Sequence, residues 1–299
     1  LLLFFRKEES FFLLGFSVDF AERDLTEIAQ LLRVAARTEI MPRFRKLSGG
    51  DVRTKTGPLD LVTEADEAAE RLMTTGLERL FPGCLVVGEE AASRDAGLVG
   101  RLAGAELAFA LDPVDGTSNY AAGLPLFGVM VGVVARGRVL GAVILDPVVD
   151  SFSAALLGGG AWEEALDGSR QALRVAAPAA PWAMKGMVSW QFMEDGVRAS
   201  VLEGLTRFAQ IWNFRCAAHE YRLLASGFSH FAVFNRLMPW DHLAGVLLHT
   251  EAGGYAAKFD GSAYVPGEIS GGLICAPDEA GWRAIRDVLM GEVGEVLAD

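Results

Sequence analysis

Leu107-Ala-Phe-Ala-Leu111 runs straight into Asp112-Pro-Val-Asp115-Gly-Thr117. An apolar run ends in two carboxylates three residues apart, and a glycine and a hydroxyl follow at once. Carboxylates at such a point hold hard cations, and the backbone just after them holds an oxyanion. The combination points to metal-assisted phosphate chemistry. Asp, Pro and Gly also build ordinary strand-end turns, so the stretch has two readings until the rest of the chain is considered.

Outward from it, the pattern alternates helix and strand. Asp24 to Phe44 reads as an amphipathic helix on Leu25, Ile28, Leu31, Leu32, Ala35 and Ile40, bent or ended by Pro42. Thr63 to Leu80 reads as a second helix, stopped by Pro82-Gly83. Leu85 to Val87 and Glu106 to Leu111 read as strands. Phe127 to Ala135, Val139 to Leu145 and Ser151 to Leu157 form a β-meander with hairpin signals at Arg136-Gly-Arg138 and Asp167-Gly168. Ala176-Ala-Pro-Ala-Ala-Pro181 marks a boundary. Beyond it, helices at Val197 to Phe208, Cys216 to Ala225, Asp241 to Glu251 and Asp278 to Leu289 surround a strand at Phe231 to Phe234, which reads as α/β.

Composition narrows the function. The chain has 299 residues, 51% of them hydrophobic, and a formal net charge of −12. An acidic chain is unsuited to nonspecific nucleic-acid or anionic-membrane binding. It can still take an anionic substrate, because bound cations reverse the local field. Cys84, Cys216 and Cys275 form no C-x-x-C pair, which argues against zinc and disulfides and for a reducing, cytoplasmic setting. Leu1 to Phe5 and Phe11 to Leu14 are apolar but split by Arg6-Lys-Glu-Glu9, too short and charged for a membrane span and unlike a signal peptide. Residues 1–20 are read as an extension.

Four acidic places fall at element ends: Asp60 with Asp66, Glu89-Glu90, Asp112 with Asp115, and Asp241. Each has a local explanation. Thr63-Glu-Ala-Asp66 fits a capping box, Glu89-Glu90 a solvated loop, and Asp241 a helix cap. One oxygen-rich metal site explains all four together. Gly253-Gly254 reads as a helix C-cap. His219, His230, His242 and His249 show no paired metal spacing, and no P-loop, dinucleotide fingerprint or nucleophile elbow is present. Oxygen ligands alone point to Mg²⁺ rather than zinc.

Four motifs now stand in order: Lys55-Thr-Gly-Pro-Leu-Asp60-Leu-Val-Thr63-Glu-Ala-Asp66, Gly88-Glu-Glu90, Leu111-Asp-Pro-Val-Asp-Gly-Thr-Ser-Asn-Tyr120, and Pro239-Trp-Asp241-His-Leu-Ala-Gly245 through Glu251-Ala-Gly-Gly254. In this set the chain resembles the inositol monophosphatase family of metal-dependent, lithium-sensitive phosphatases, over roughly residues 24 to 290. The resemblance implies a five-layer α-β-α-β-α sandwich of the inositol monophosphatase/fructose-1,6-bisphosphatase type. It has an α+β half over 21–175 and an α/β half over 176–299 that contributes Asp241.

The resemblance also implies roles. Glu89 and Asp112, with the carbonyl of Val114, hold a first metal; Asp112, Asp115 and Asp241 hold a second; a third, weaker ion sits near Glu89. Two to three Mg²⁺ ions are thus expected. Asp115, Gly116, Thr117 and Asp241 contact the substrate, with Gly116 and Thr117 offering backbone to the phosphate. Asp66, Thr117 and Glu89 serve catalysis, the first two orienting and deprotonating a metal-activated water. Glu90 stands behind the ligands and Lys55 near the site. A small phosphorylated substrate, no nucleic acid, no membrane and a homodimer complete the expectation.

The alcohol side departs from inositol-specific members. A glutamate expected shortly before Trp240-Asp241 is missing from Phe234-Asn-Arg-Leu-Met-Pro239, and Cys216-Ala-Ala-His-Glu-Tyr221 is bulkier than its counterpart. Arg236, His219 and Glu220 become specificity candidates. Inositol monophosphate leads. Histidinol phosphate, a sugar phosphate and a 3′(2′),5′-bisphosphate nucleotide stay open, as does a regulatory partner of the transcription machinery that retains the fold.

Overall fold

In the computed structural model, residues 20–48, 50–55, 57 and 61–291 are described. Asp60 and residues 1–19 of the expected extension lie outside them. Helix α1 (Glu22–Ala35) forms because Leu25, Ile28, Ala29 and Leu32 recur at helical spacing, and all are buried. The long helix expected to Phe44 stops being α-helical earlier. Ala36–Ile40 makes one π turn, closed by Met41 N–H on Ala36 O, just before Pro42. Phe20, counted in the extension, packs its ring 6.1 Å from Phe81.

The remaining elements in chain order are β1 (Val52–Thr54), β2 (Leu61–Thr63), α2 (Glu64–Leu80), β3 (Leu85–Gly88), α3 (Glu89–Arg94), α4 (Gly97–Arg101), β4 (Ala108–Asp115), α5 (Thr117–Ala121), β5 (Gly128–Ala135), β6 (Arg138–Asp146), β7 (Ser151–Leu156), β8 (Gly160–Glu164) and β9 (Arg170–Ala172). Then follow β10 (Lys185–Val188), α6 (Asp195–Gly204), β11 (Gln210–Trp212), α7 (Ala217–Ala225), β12 (Phe231–Phe234), α8 (Pro239–Glu251), β13 (Tyr255–Lys258), β14 (Leu273–Ala276) and α9 (Glu279–Met290). The meander is as read: β3 to β9 make one sheet in sequence order, with β3 and β4 parallel and the rest antiparallel.

The second sheet has the order β11-β10-β12-β14-β13. Of its strands only β12 was expected. The others run three or four residues, and β14 is buried throughout, so no polar alternation announces it. Strands β11, β10 and β12 are mutually parallel. Their carboxyl ends therefore share one edge of the sheet.

Three cores set the layering. One joins α1 and α2 to the outer face of the seven-stranded sheet. A second fills the space between the sheets with α7 and α8. A third packs α6 and α9 on the far face of the five-stranded sheet. The order α-β-α-β-α results. Ala176–Ala180 connects the two sheets without helix or strand.

Candidate active site

The site begins with a defect in β4. Asp112 pairs with Met130 and Asp115 with Gly128, so β4 spends three steps where β5 spends two. Residues three apart on a regular strand face opposite sides. The extra residue of this bulge restores the parity and turns both carboxylates the same way. Asp112 Oδ1 accepts the Val114 N–H at 2.9 Å, which pins the bend. Pro113 is tolerated there because a bulge leaves an amide unpaired anyway.

Asp241 joins them from α8. The N-cap of α8 is Met238 and Pro239 opens the helix, so Asp241 sits in the first turn without capping it. The cap reading is wrong here because Pro239 already supplies the position that needs no N–H donor. One oxygen from each of Asp112, Asp115 and Asp241 lies within 4.8 Å of the others. Asp115 is held by the N–H of Ala218 and the thiol of Cys216, both donating to Oδ2.

The electrostatics are unfavourable for bare carboxylates. Burial, then repulsion from Glu89, Asp115 and Asp241, pushes Asp112 well above the usual carboxylate range. Burial and then Asp115 and Glu89 do the same to Asp241. Burial raises Asp115 to about 6, with the Ala218 and Cys216 donors opposing it. Oxygen-only donors that repel one another out of water are suited to a hard divalent cation, which supplies the missing countercharge.

Asp66 satisfies two readings at once with its two oxygens. Oδ2 accepts the Thr63 N–H at 2.9 Å and completes the capping box of α2. Oδ1 lies 3.1 Å from Thr117 Oγ1. The same hydroxyl is 3.0 Å from the Val114 carbonyl. A hydroxyl has one proton, so it donates to one of these at a time. Asp66 is fully buried, and burial lifts its carboxyl to about 7. Gly116 precedes Thr117 at φ +88°, a left-handed turn that swings α5 away from the strand.

Glu89 and Glu90 open α3. Lys55 Nζ donates to Glu89 Oε1 at 2.7 Å and to Glu90 Oε1 at 2.6 Å. Burial disfavours the Lys55 charge, but the two carboxylates outweigh it and raise its proton affinity. Burial and Glu89 push Glu90 up to about 8. Neither glutamate is in a solvated loop. Glu70 escaped the sequence reading: its two oxygens accept the N–H groups of Glu90 and Ala91 and cap α3. Its signal was its place one turn after Asp66 on α2. Gly88 is required beside it, since a Cβ would fall 2.3 Å from the Glu70 carboxyl carbon.

Glu89, Asp112, Val114, Asp115, Gly116, Thr117 and Asp241 line one cleft of about 180 Å³. Its opposite wall comes from the loops after β10, β11 and β12: Ser189 with Gln191 and Phe192, Asn213 with Arg215, and Asn235 with Arg236. Parallel strands commonly bind ligands at their carboxyl ends. Of the specificity candidates, Arg236 and Glu220 line the cleft. Glu220 is turned inward, accepting the Phe214 N–H at 3.0 Å. His219 is absent from the lining. Its Nε2 faces the Phe127 carbonyl at 3.2 Å, because α7 points that side at the seven-stranded sheet.

Comparison with known proteins agrees with this geometry. The chain is 34% identical to the Nus factor SuhB of Pseudomonas aeruginosa over 68% of its own length and 74% of the relative's. It is 30% identical to a histidinol-phosphatase of Streptomyces coelicolor, over 83% of this chain and 90% of that one. The solved structure of a Thermotoga maritima IMPase matches 92% of this chain and 99% of its own with a TM-score of 0.76 at 25% identity. The model of the inositol monophosphatase family matches residues 21–295, and the chain belongs to that family.

Proposed function

We propose that this protein hydrolyses a small phosphomonoester with Mg²⁺, inositol monophosphate being the leading substrate. The observation that carries the reading is the convergence of Asp112, Asp115 and Asp241 oxygens within 4.8 Å, beside the Asp66–Thr117 contact. Asp112, Asp115, Asp241 and Glu89, with the Val114 carbonyl, would hold two to three ions. When bound, the ions neutralise phosphate oxygens and lower the cost of ionising water.

The chain's own groups then have definite work. Thr117 Oγ1 accepts a proton from the attacking water as it passes its own to Asp66. Burial raises the Asp66 carboxyl to about 7 in the metal-free protein and bound cations bring it lower, so it is ionised and able to take a proton at neutral pH. The Val114 carbonyl takes the Thr117 hydrogen bond once Asp66 is protonated. First-turn amides of α5 at Gly116 and Thr117 would orient the phosphate.

The test is phosphate release from a broad ester panel with Mg²⁺. A folded, metal-bound protein that releases none from any ester would sink the reading. The relatives named as histidinol-phosphatase and Nus factor support two further readings, phosphatase action on histidinol phosphate and a partnership with RNA polymerase. Turnover ratios and a pull-down from the same preparation separate them. A division into halves at 21–175 and 176–299, a cytoplasmic setting, lithium sensitivity and the family's homodimer belong to the same proposal. Among the described residues no helix is long and apolar enough to cross a membrane.

A further inference from the structure

We propose that the alcohol this site releases carries a second anionic group, phosphate or carboxylate, gripped by Arg215 and Arg236. The inference rests on the phosphatase reading and adds a substrate class to it. Both arginines are exposed and line the cleft, on the wall facing the metal-binding acids. Among the described residues neither guanidinium has a carboxylate partner. The acid of that wall, Glu220, is occupied with the Phe214 N–H.

Both are also held in place. Arg215 has φ +52°, a left-handed backbone uncommon for a residue with a side chain. Its N–H donates to Asn213 Oδ1 at 3.1 Å, and Asn213 is itself tied to the Val188 carbonyl and Gln191. Its guanidinium donates to Ser118 Oγ at 3.0 Å, next to the phosphate turn. Arg236 lies with its guanidinium 5.8 Å from the Phe192 ring centroid, and Asn235 Nδ2 holds the Phe192 carbonyl at 2.7 Å. Arg236 lines the cleft with Asp241, whose carboxyl its charge lowers. Two fixed forks of N–H donors, without a carboxylate ion-pair partner among the described residues, match a phosphate or carboxylate. A neutral polyol would leave both without an acceptor charge, and the segment Phe234 to Pro239 offers no acid to a ring hydroxyl.

Full-length, Mg²⁺-loaded protein is assayed on inositol 1-phosphate, fructose 1,6-bisphosphate and 2-phosphoglycolate. These represent a neutral alcohol, a second phosphate and a carboxylate. At least one anionic arm is expected to exceed the neutral one by about tenfold or more in kcat/KM, the scale of a charged hydrogen bond. R215Q and R236Q should each erase most of that ratio through KM rather than kcat, and R215K and R236K should restore part of it. Preference for the neutral ester, or a ratio the Gln variants leave within about twofold, overturns the inference while leaving the phosphatase reading intact. If no ester is hydrolysed, the phosphatase reading fails. Calorimetric titration with fructose 6-phosphate, glycolate and inositol then decides the anion site: arginine-dependent binding of an anion supports it, and its absence overturns it.

Discussion

Asp66 Oδ1 lies 3.1 Å from Thr117 Oγ1, across 51 residues of chain, while Oδ2 of the same carboxylate caps α2. Division of labour between two oxygens lets one side chain be structural and reactive together. D66N should keep the cap, because its amide oxygen still accepts from Thr63. It should lose turnover by about 10²-fold or more, the usual worth of a positioned base. In the wild type the acid limb of the rate profile should fall at or below pH 7, since bound cations lower a carboxyl that burial, against the Thr63 donors, lifts to about 7 in the metal-free protein. A D66N protein with wild-type kcat would remove Asp66 from the mechanism.

Asp112 is central to the acidic cluster and is 2% exposed. D112N removes a buried charge that its neighbours repel. The metal-free protein should melt no lower than wild type, and the stabilisation that Mg²⁺ gives by binding the native state should shrink. Magnesium affinity by calorimetry should drop about tenfold or more. Equal Mg²⁺ affinities in the two proteins would contradict Asp112 as a ligand.

Lys55 bridges Glu89 and Glu90 with its own side chain 10% exposed and that of Glu90 3%. Removing one partner of such a pair strands the other. K55M should cost about 3 kcal/mol in urea unfolding of the metal-free protein. K55M/E90Q should recover part of it, because the deeper carboxylate is neutralised and only Glu89, whose side chain is 19% exposed, is left without its lysine. Equal stability of K55M and wild type would place the lysine in solvent.

Glu220 gives a pH signature. Burial raises its carboxyl from 4.5 to about 8 in the folded chain. Between those values the native state holds a proton that the unfolded state has lost. The contribution of Glu220 to stability is therefore complete below pH 4.5 and lost as pH rises through 8. E220Q keeps an acceptor for the Phe214 N–H and has nothing to titrate. Urea midpoints of E220Q should gain on wild type as pH goes from 5 to 9. Parallel curves would show that Glu220 titrates normally.

Local chemistry made much of this legible in the chain itself. Thr63 to Asp66 announced a cap, Gly253-Gly254 a helix end, and the hairpin turns a meander, because each depends on neighbours a few residues away. The joint set of Asp66, Glu89, Asp112, Asp115 and Asp241 followed from motif order; Asp66, Glu89, Asp115 and Asp241 lie at or within one turn of an element end, and Asp112 lies inside β4 three residues before its end. Short strands such as β10 and β14 were missed because burial on both faces leaves them no alternation.

Sequence alone determined the fold class and the acids around Asp112-Pro-Val-Asp115-Gly-Thr117. Tertiary structure decided how they are used. Only pairing with β5 shows that a bulge puts Asp112 and Asp115 on one face. Only packing shows Asp241 in place without capping α8, Glu70 behind Glu90, Lys55 on the glutamate pair, and His219 turned from the cleft. Arg215 and Arg236 come from loops after two different parallel strands, and a chain read in one dimension cannot show that they share a wall. Hydrogen-bond patterns within a turn are set by sequence neighbours. Burial, repulsion and the absence of a partner are properties of space, and they arise only when distant segments meet.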